Sequence, residues 1–437
     1  MFQILRDAFK IPELRKRILF TLAMIAVYRL GAHIPTPGID AGALDKLFGK
    51  GGMLGFLDMF SGGALKRFSI FALGIAPYIN ASIIMQLLVY VIPFLEKLAK
   101  EGESGRKKIS QYTRQGTIVL GVLQSFGISF MLDRYGVRLE NVPFWVFSFI
   151  CVLTLTAGTA FIMWLGEKIT ERGIGNGISL LIFAGIVASF PGAVAQQWAI
   201  WSQTAMFLPK LMVLGGFAIV VIAGIVFIQD GQRKIPVQYA KKVVGRKVYG
   251  GQSTYIPLKV NQPGVIPIIF AVSIMLFPGM IAKMLMSRFQ STDTIYRFLN
   301  SVVTYLQPPS VLYFVLYCLL IIFFSYFYTA ITLNPKDLAD NMKKYGGFIP
   351  GIRAGRPTAD YIDRILMRIT LAGAVFLAVI AVLPEILVNM ANIQFYFGGT
   401  GLLIVVGVAL DTVKQIESHM LTRHYEGFMK KKSTFLR

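Results

Sequence analysis

Long apolar runs recur along the whole chain, and they constrain its fold more than any other feature. A helix needs roughly 20 apolar residues to cross a bilayer core that is about 30 Å thick. The sequence is 55% hydrophobic and only 15% charged, and its apolar runs reach that length repeatedly. The strict alternation that is typical of membrane β-barrels is absent. The chain is therefore predicted to be an all-α polytopic membrane protein.

Hydropathy predicts ten transmembrane helices. They fall at approximately 18–35, 68–95, 115–132, 144–165, 178–196, 211–229, 264–287, 310–333, 369–388 and 396–416. Five spans per half would make the second half enter from the opposite side, so we predict two inverted five-helix halves, 18–196 and 197–416. A basic amphipathic helix at 1–17, lying in the membrane interface, and a cytoplasmic tail at 417–437 flank them.

Lysine and arginine are divided unevenly between the two sides of the membrane. The loops on the side of both termini hold 32 of these residues, and the loops on the other side hold 9. Because cytoplasmic loops are enriched in lysine and arginine, this asymmetry predicts that both termini are cytoplasmic.

Two cytoplasmic loops, 230–263 and 334–364, are too long and too basic to be simple connections. In the first, alternating stretches around Gly250 and Gly251 predict a β-hairpin. The positive charge fits docking to an acidic partner, either ribosomal RNA or a protein with acidic clefts. Attraction to lipid headgroups is the alternative that the sequence leaves open.

The stretch 54–95 differs from a plain membrane anchor. Its first part, 54–67, is too short to cross a bilayer and too apolar for a soluble loop, and glycines join it to the following span. This pattern predicts a short re-entrant helix, which is tolerated at membrane depth only inside protein or beside an aqueous cavity. The span itself contains helix-loosening and polar residues at Gly74, Pro77, Asn80, Ser82 and Gln86. They favour a cavity-lining helix, with helix–helix packing as the alternative.

The spans show little of the chemistry that an active site needs. Arg29, Lys283 and Glu385 lie near span ends, where we expect their charges to reach the interface. The ion relays typical of secondary carriers are missing from mid-span positions. Cys151 and Cys318 lie in separate spans, so neither a disulfide framework nor a metal site is predicted.

With no Walker A motif and no expected cofactor, a passive conduit driven by a partner is favoured. A secondary transporter of a small solute and a scaffold for a cytoplasmic ATPase are the alternatives.

Residues 171–177 (ERGIGNG) mimic a dinucleotide-binding loop only weakly. No strand precedes them, and a phosphate site is not expected between two membrane helices. We predict a tight cytoplasmic hairpin in which the glycines allow positive φ and close packing.

Several long segments, in order along nearly the whole chain, resemble the bacterial SecY family, whose members form the central subunit of a protein-conducting channel. These segments are FSGGALKRFSIFALGIAPYINASIIMQLL (60–88), GESGRKKISQYTR (102–114), ITERGIGNGISLLIFAGIV (169–187), QSTYIPLKVNQPGVIPIIF (252–270), FIPGIRAGRPTADYID (348–363) and FYFGGTGLLIVVGVALD (395–411).

The resemblance implies roles for residues in the channel interior. The matching positions of the family's apolar pore ring are Ile75, Ile79, Ile178, Ile182, Ile269 and Ile404. The plug, which closes the pore from outside, corresponds to residues 54–67, with Phe56, Leu57, Met59, Phe60, Ser61, Gly62, Gly63, Leu65 and Arg67. The lateral gate, between spans 2–3 and 7–8, has polar candidates at Asn80, Gln124 and Asn261. An apolar ring seals by dewetting when empty and suits unfolded polypeptides because it makes no directional bonds.

The resemblance also implies partners and a location. The SecA ATPase or the ribosome would dock on the two basic loops, through Arg353, Arg356, Lys241, Lys242, Arg246 and Lys247. Ala354 stands where many relatives have proline, which makes this turn less rigid. The small subunits SecE and SecG are implied as further partners, together with a polypeptide bearing a signal sequence and membrane lipid. The implied location is the bacterial cytoplasmic membrane, and no catalytic activity is implied.

Overall fold

The computed structural model describes residues 2–40, 42–44, 58, 61–202, 207–239, 242–244, 247–249, 253–286, 293–307, 310–390 and 399–434. In the first half the helices are α1 (Phe2–Lys10), α2 (Pro12–Gly31), α3 (Ala76–Val91), α4 (Pro93–Lys100), α5 (Glu103–Arg134), α6 (Phe144–Arg172) and α7 (Gly177–Trp201). In the second half they are α8 (Phe207–Asp230), α9 (Ile266–Met286), α10 (Thr294–Tyr305), α11 (Val311–Thr332), α12 (Pro335–Lys344), α13 (Arg356–Met390) and α14 (Gly399–Thr434). The strands are β1 (Gln232–Tyr239), β2 (Lys242–Val244), β3 (Lys247–Tyr249), β4 (Ser253–Lys259) and β5 (Gly347–Phe348).

Apolar helices of membrane-crossing length confirm the predicted class of protein. Within the described residues, four stretches have the length and composition to cross a membrane: Glu103–Arg134, Phe144–Arg172, Val311–Lys344 and Arg356–Pro384. Shorter apolar helices lie at Gly177–Gly192, Gly215–Asp230 and Ile266–Gly279. The total of ten spans and the inversion between the halves remain predictions.

The helices pack as two groups that follow the chain. In the first group, α5 packs on α3 and α6, and α6 also packs on α2 and α7. In the second, α11 packs on α9 and α13, while α14 packs on α8 and α13. The groups meet where α3 and α5 pack against α9, where α7 packs against α14, and where α1 packs against α14. One large apolar core joins both groups, and residues such as Ile182 and Ile404 belong to it.

The second predicted span begins later than the sequence suggested. We predicted a helix from residue 68, but residues 64–75 form turns and α3 begins at Ala76. Phe68 has a φ of 42° and Gly74 a φ of 56°, and neither angle fits a right-handed helix. Pro77 lies in the first turn of α3, where its missing N–H leaves no intrahelical bond unmade. At the other end, α3 and α4 form a pair bent by 97°, and the residue at the bend, Ile92, precedes a proline.

The two basic loops form one small sheet. Strand β1 pairs antiparallel with β4 on one side and with β5 on the other, giving the order β4-β1-β5. Strands β2 and β3 form a separate hairpin, with Val244 paired to Lys247. A hairpin is therefore present in this loop, formed by β2 and β3. Gly250 and Gly251, around which a hairpin was predicted, lie outside the described residues.

The N-terminal segment is helical and packs on the ends of other helices. Ala8 is fully buried, and it shares a small apolar cluster with Leu14, Ile174 and Ile416. This cluster joins α1 and α2 to the α6–α7 turn and to α14. In that turn Gly175 has a φ of 84°, and a Cβ on Gly177 would lie 2.0 Å from the Gly166 carbonyl oxygen. The tight hairpin predicted at 171–177 is thus confirmed.

Candidate functional site

An apolar cavity lies where the first group of helices meets α9. It contains about 830 Å³ of space not filled by atoms, its open mouth included. Its lining comes from the turns before α3 and from α3, α5, α7 and α9: Ser61, Leu65, Ala72, Leu73, Gly74, Ile75, Ala76, Ile79, Asn80, Gln124, Ile128, Ile182, Ile269, Val272, Ser273, Leu276 and Phe277. Both groups of helices therefore contribute to the wall, so a relative movement between them would change the cavity.

Four of the six isoleucines assigned to the pore ring line this cavity: Ile75, Ile79, Ile182 and Ile269. Ile75 is the residue before α3, and Ile79 lies one turn into the helix, which places both on the same face. The four side chains are all less than one tenth exposed. Together they form an apolar surface that makes no directional hydrogen bonds, and a surface of this kind excludes water and ions.

The other two ring candidates lie outside the lining. Ile404 on α14 is fully buried in the core that adjoins the cavity. Ile178, at the start of α7, faces α6 instead, because a Cβ built on Gly166 would lie 3.1 Å from Ile178 Cγ1. The glycine lets α7 approach α6 closely, and Ile178 occupies the space so formed.

Two of the three polar candidates for the lateral gate reach the cavity. Asn80 on α3 and Gln124 on α5 line it, and Ser273 of α9 stands among the lining residues as well. Gln124 is only 6% exposed, and its Nε2 has no hydrogen-bond partner among the described residues. An unpaired buried amide is costly. Asn261 lies away from these residues, in the loop before α9, where its Nδ2 donates to the Gly264 carbonyl at 3.0 Å.

The plug segment (residues 54–67) is described only in part. Phe56, Leu57, Met59 and Phe60 lie outside the described residues. Of the rest, Ser61 and Leu65 are buried and line the cavity, whereas Arg67 is exposed. Gly62 and Gly63 have φ angles of 68° and 83°, which only glycine adopts freely. The described part of the segment thus forms one wall of the cavity.

Two residues of α2 hold this segment, and no pattern in the sequence indicates either contact. Tyr28 Oη donates to the Ser61 carbonyl at 3.2 Å, and Arg29 Nη1 donates to the Gly62 carbonyl at 2.8 Å. Arg29, which was expected to extend its charge to the membrane interface, donates here to a carbonyl of the plug segment. Its guanidinium is half-buried and donates to the carbonyl of Gly62, a residue whose φ of 68° lies outside the right-handed helical region.

The basic loops present a folded surface. Val237 and Leu258 of the sheet are fully buried on Ile362 and Leu366 of α13. Beside the sheet, Arg353 is exposed in the turn before α13, where its carbonyl accepts a bond from Thr358 Oγ1 at 2.8 Å. Of the other docking candidates, Arg356 is also exposed. Lys241 and Arg246 lie outside the described residues, and Lys242 and Lys247 lie in β2 and β3, their side chains not being described.

The described side chains do not assemble a metal centre. Within that part of the chain, no group of three or more His, Cys, Asp or Glu residues is placed to hold a metal ion. The two cysteines are free, Cys151 on α6 and Cys318 on α11.

Comparison with known proteins decides the family. The family profile described as SecY matches residues 69–413. The chain belongs to the SecY family. It is 50% identical over 423 residues to the protein translocase subunit SecY of Pseudomonas aeruginosa, covering 96% of this chain and 94% of that protein. It is 45% identical over 440 residues to the protein translocase subunit SecY of Thermotoga maritima, covering 99% of this chain and 98% of that protein.

Solved SecY and Sec61 structures share the fold. One is a SecY channel described as having a plug domain that stabilises the closed state and maintains a membrane seal, with a TM-score of 0.66 at 19% identity, covering 95% of this chain and 97% of that one. Another is Sec61 in the canine ribosome–channel complex, with a TM-score of 0.64 at 18% identity and the same coverage. At these identities the likeness shows the SecY fold alone. The family assignment rests on the closer relatives.

Proposed function

We propose that this SecY-family chain forms the conduit of a protein translocase in the bacterial cytoplasmic membrane, with both termini in the cytoplasm. The observation that supports this most directly is the cavity at the junction of the two groups of helices, lined by Ile75, Ile79, Ile182 and Ile269. Its isoleucine wall makes no directional bonds, so it accepts side chains of many shapes while an empty channel stays dry. The substrates are unfolded polypeptides.

The plug segment closes this conduit from the outer side. Ser61 and Leu65 stand in the cavity wall beside the isoleucines, so displacement of the segment would open the wall on that side. We propose that the six ring positions, including Ile178 and Ile404, surround the polypeptide once the helices have moved to admit it. In the closed arrangement Ile178 packs against α6, and Ile404 packs in the apolar core beside the cavity.

Release of apolar segments into lipid follows from the contact between the two groups of helices. Helices α3 and α5 touch α9 there, and Asn80 and Gln124 point into the cavity behind the contact. An apolar segment leaves through this seam because lipid solvates it better than water, at about 25 cal/mol per Å² of apolar area. Membrane segments are therefore selected by their partition between the aqueous channel and lipid. We propose that Asn80, Gln124 and Asn261 affect how easily the contact between the two groups of helices opens.

The sheet and its neighbouring turn serve as the docking platform. The exposed Arg353 and Arg356 adjoin a sheet built from both basic loops, so one partner can contact both loops together. Acidic protein surfaces and ribosomal RNA are the matching chemistries. We propose SecA and the ribosome as these partners, with SecE and SecG as companion subunits. The chain itself performs no catalysis, and the partners supply the energy.

Site-specific photocrosslinking tests this function. A photoreactive residue at Ile79 or Ile404 should crosslink to a secretory chain stalled in transit through the assembled translocase. The matched control is Ile84 on the same helix as Ile79, because Ile84 is 44% exposed on the outer surface. Crosslinks from Arg353 but never from Ile79 or Ile404 would make the chain a receptor or scaffold, with the conduit elsewhere.

A further inference from the structure

The end of α2 contacts the plug segment through two side chains that point at consecutive carbonyls. Tyr28 Oη donates to Ser61 O and Arg29 Nη1 donates to Gly62 O, at 3.2 and 2.8 Å. A guanidinium donor makes a charge-assisted hydrogen bond, which is about twice as strong as a neutral one. The half-buried setting of Arg29 reduces competition from water.

Several other bonds of the described plug segment are internal to it, and two lead to the residues that directly follow it: the Ala64 carbonyl accepts from Ser69 N at 2.9 Å and the Leu65 carbonyl from Phe68 N at 3.0 Å. The Asp58 carboxylate accepts from Lys66 N at 2.7 Å, and the Asp58 carbonyl accepts from Gly63 N at 3.0 Å. Ser61 Oγ accepts from Leu65 N at 3.1 Å and donates to the Asp58 carbonyl at 3.0 Å. These bonds tie the segment into a compact turn that can move as one piece. The bonds from Tyr28 and Arg29, by contrast, must break when the piece moves away from α2.

The close packing around Gly62 also supports the attachment of the plug segment to α2. Gly62 fits between α2 and α7 so closely that an added Cβ would lie 2.9 Å from Arg29 Nη1 and 2.8 Å from Gly185 Cα. Tyr28 also stacks on Phe71, with ring centroids 5.9 Å apart. The attachment point of the segment is therefore fixed by helices of the first half.

We propose that Arg29, assisted by Tyr28, is a positioning residue that latches the plug segment against α2 and thereby sets the balance between the sealed and the unsealed channel. The inference rests on the proposed closing role of this segment. A polypeptide that enters the cavity has to displace the segment against these two bonds. The latch therefore also sets how strongly a substrate must bind before the channel opens.

The test measures ion flux through the assembled translocase in proteoliposomes. Loss of one hydrogen bond to a charged group shifts an equilibrium by about tenfold to a hundredfold, so Arg29→Met should raise the open fraction, and the leak, by that factor. Arg29→Lys keeps a charged donor and should stay near the parent. Arg15→Met removes an exposed charge from the same helix and should leave the leak unchanged.

Tyr28→Phe gives a second test that keeps the ring stacked on Phe71. It removes one neutral hydrogen bond and should raise the leak by about twofold to tenfold. Reactivity of an Ile79→Cys thiol toward a membrane-impermeant reagent added outside should rise in parallel, because Ile79 is only 8% exposed in the sealed cavity. A parallel rise in both readouts supports the latch.

Deletion of residues 57–67 separates the failure of the latch from the failure of the proposed function. If the deletion leaks while Arg29→Met and Tyr28→Phe stay sealed, the latch is refuted and the closing role stands. If the deletion variant stays sealed under voltage while its Ile79→Cys thiol reacts, the closing role is refuted, and the latch falls with it.

Discussion

Replacing Gly62 with alanine should displace the plug segment more than the same change at Gly63. Both glycines have positive φ, 68° and 83°, so each alanine costs about 1–2 kcal/mol in backbone conformation. They differ in their surroundings. A Cβ at Gly62 would lie 2.8 Å from Gly185 Cα, whereas a Cβ at Gly63 would meet nothing within 4 Å.

The difference between the two variants measures the close approach of Gly62 to Gly185 of α7 and to the Arg29 side chain of α2. Backbone atoms of a helix yield little, so the overlap at Gly62 adds about 1–3 kcal/mol, the usual cost of overpacking. At 1.4 kcal/mol per tenfold change, Gly62→Ala should increase the displaced fraction by about fivefold to a hundredfold over Gly63→Ala. Gly63→Ala thus serves as a control for backbone strain, with the same change in mass and polarity.

The assay is ion leakage through the reconstituted translocase, with the reactivity of an Ile79→Cys thiol as an independent measure. Gly62→Ala should leak more and react faster than Gly63→Ala, and both should exceed the parent. Equal behaviour of the two variants would show that the close approach to Gly185 does not hold the segment. That result would refute the account of the plug segment as wedged between α2 and α7.

Three further outcomes are expected elsewhere in the molecule. Leu258→Ala removes a fully buried side chain from the docking platform and should destabilise it by about 2–5 kcal/mol, seen as faster hydrogen exchange in β1. Tyr317→Phe leaves the buried Thr400 hydroxyl without its 3.0 Å partner and should cost about 1–3 kcal/mol in thermal unfolding. Adding Thr400→Val should recover part of this loss, and no recovery would contradict the pairing. Arg353→Glu should abolish SecA-driven secretion with the complex still assembled, whereas Lys344→Glu, another exposed charge nearby, should not.

The class of protein was predictable because it depends on composition and run length, which are properties of the sequence itself. The tight turn at 171–177 was predictable for a similar reason. Its glycines stand between two apolar runs, and a Cβ at Gly177 would collide with the Gly166 carbonyl. Local chain geometry decides such features, so local sequence reports them.

The sheet of the docking platform was predictable only in part. Alternation in residues 230–263 indicates strands, but antiparallel pairing depends on register, and the pattern does not say which strands pair. The structure pairs β1 with β4 across the loop and adds β5, whose Gly347 lies opposite Tyr239. A partner more than a hundred residues away leaves no periodic signal in either segment. Pairings of this kind are settled by packing on α13.

Arg29 shows why the contacts of the candidate site were the hardest part to predict. A lone arginine near the end of an apolar run has a general explanation, the extension of its charge toward water, and nothing in the neighbouring residues contradicts it. Its partner is a carbonyl, a group that every residue has, and this carbonyl belongs to a glycine with a φ of 68°. Sequence identifies the glycine and the arginine separately. The bond between them follows from the path of the chain over 33 residues, and that path is set by packing.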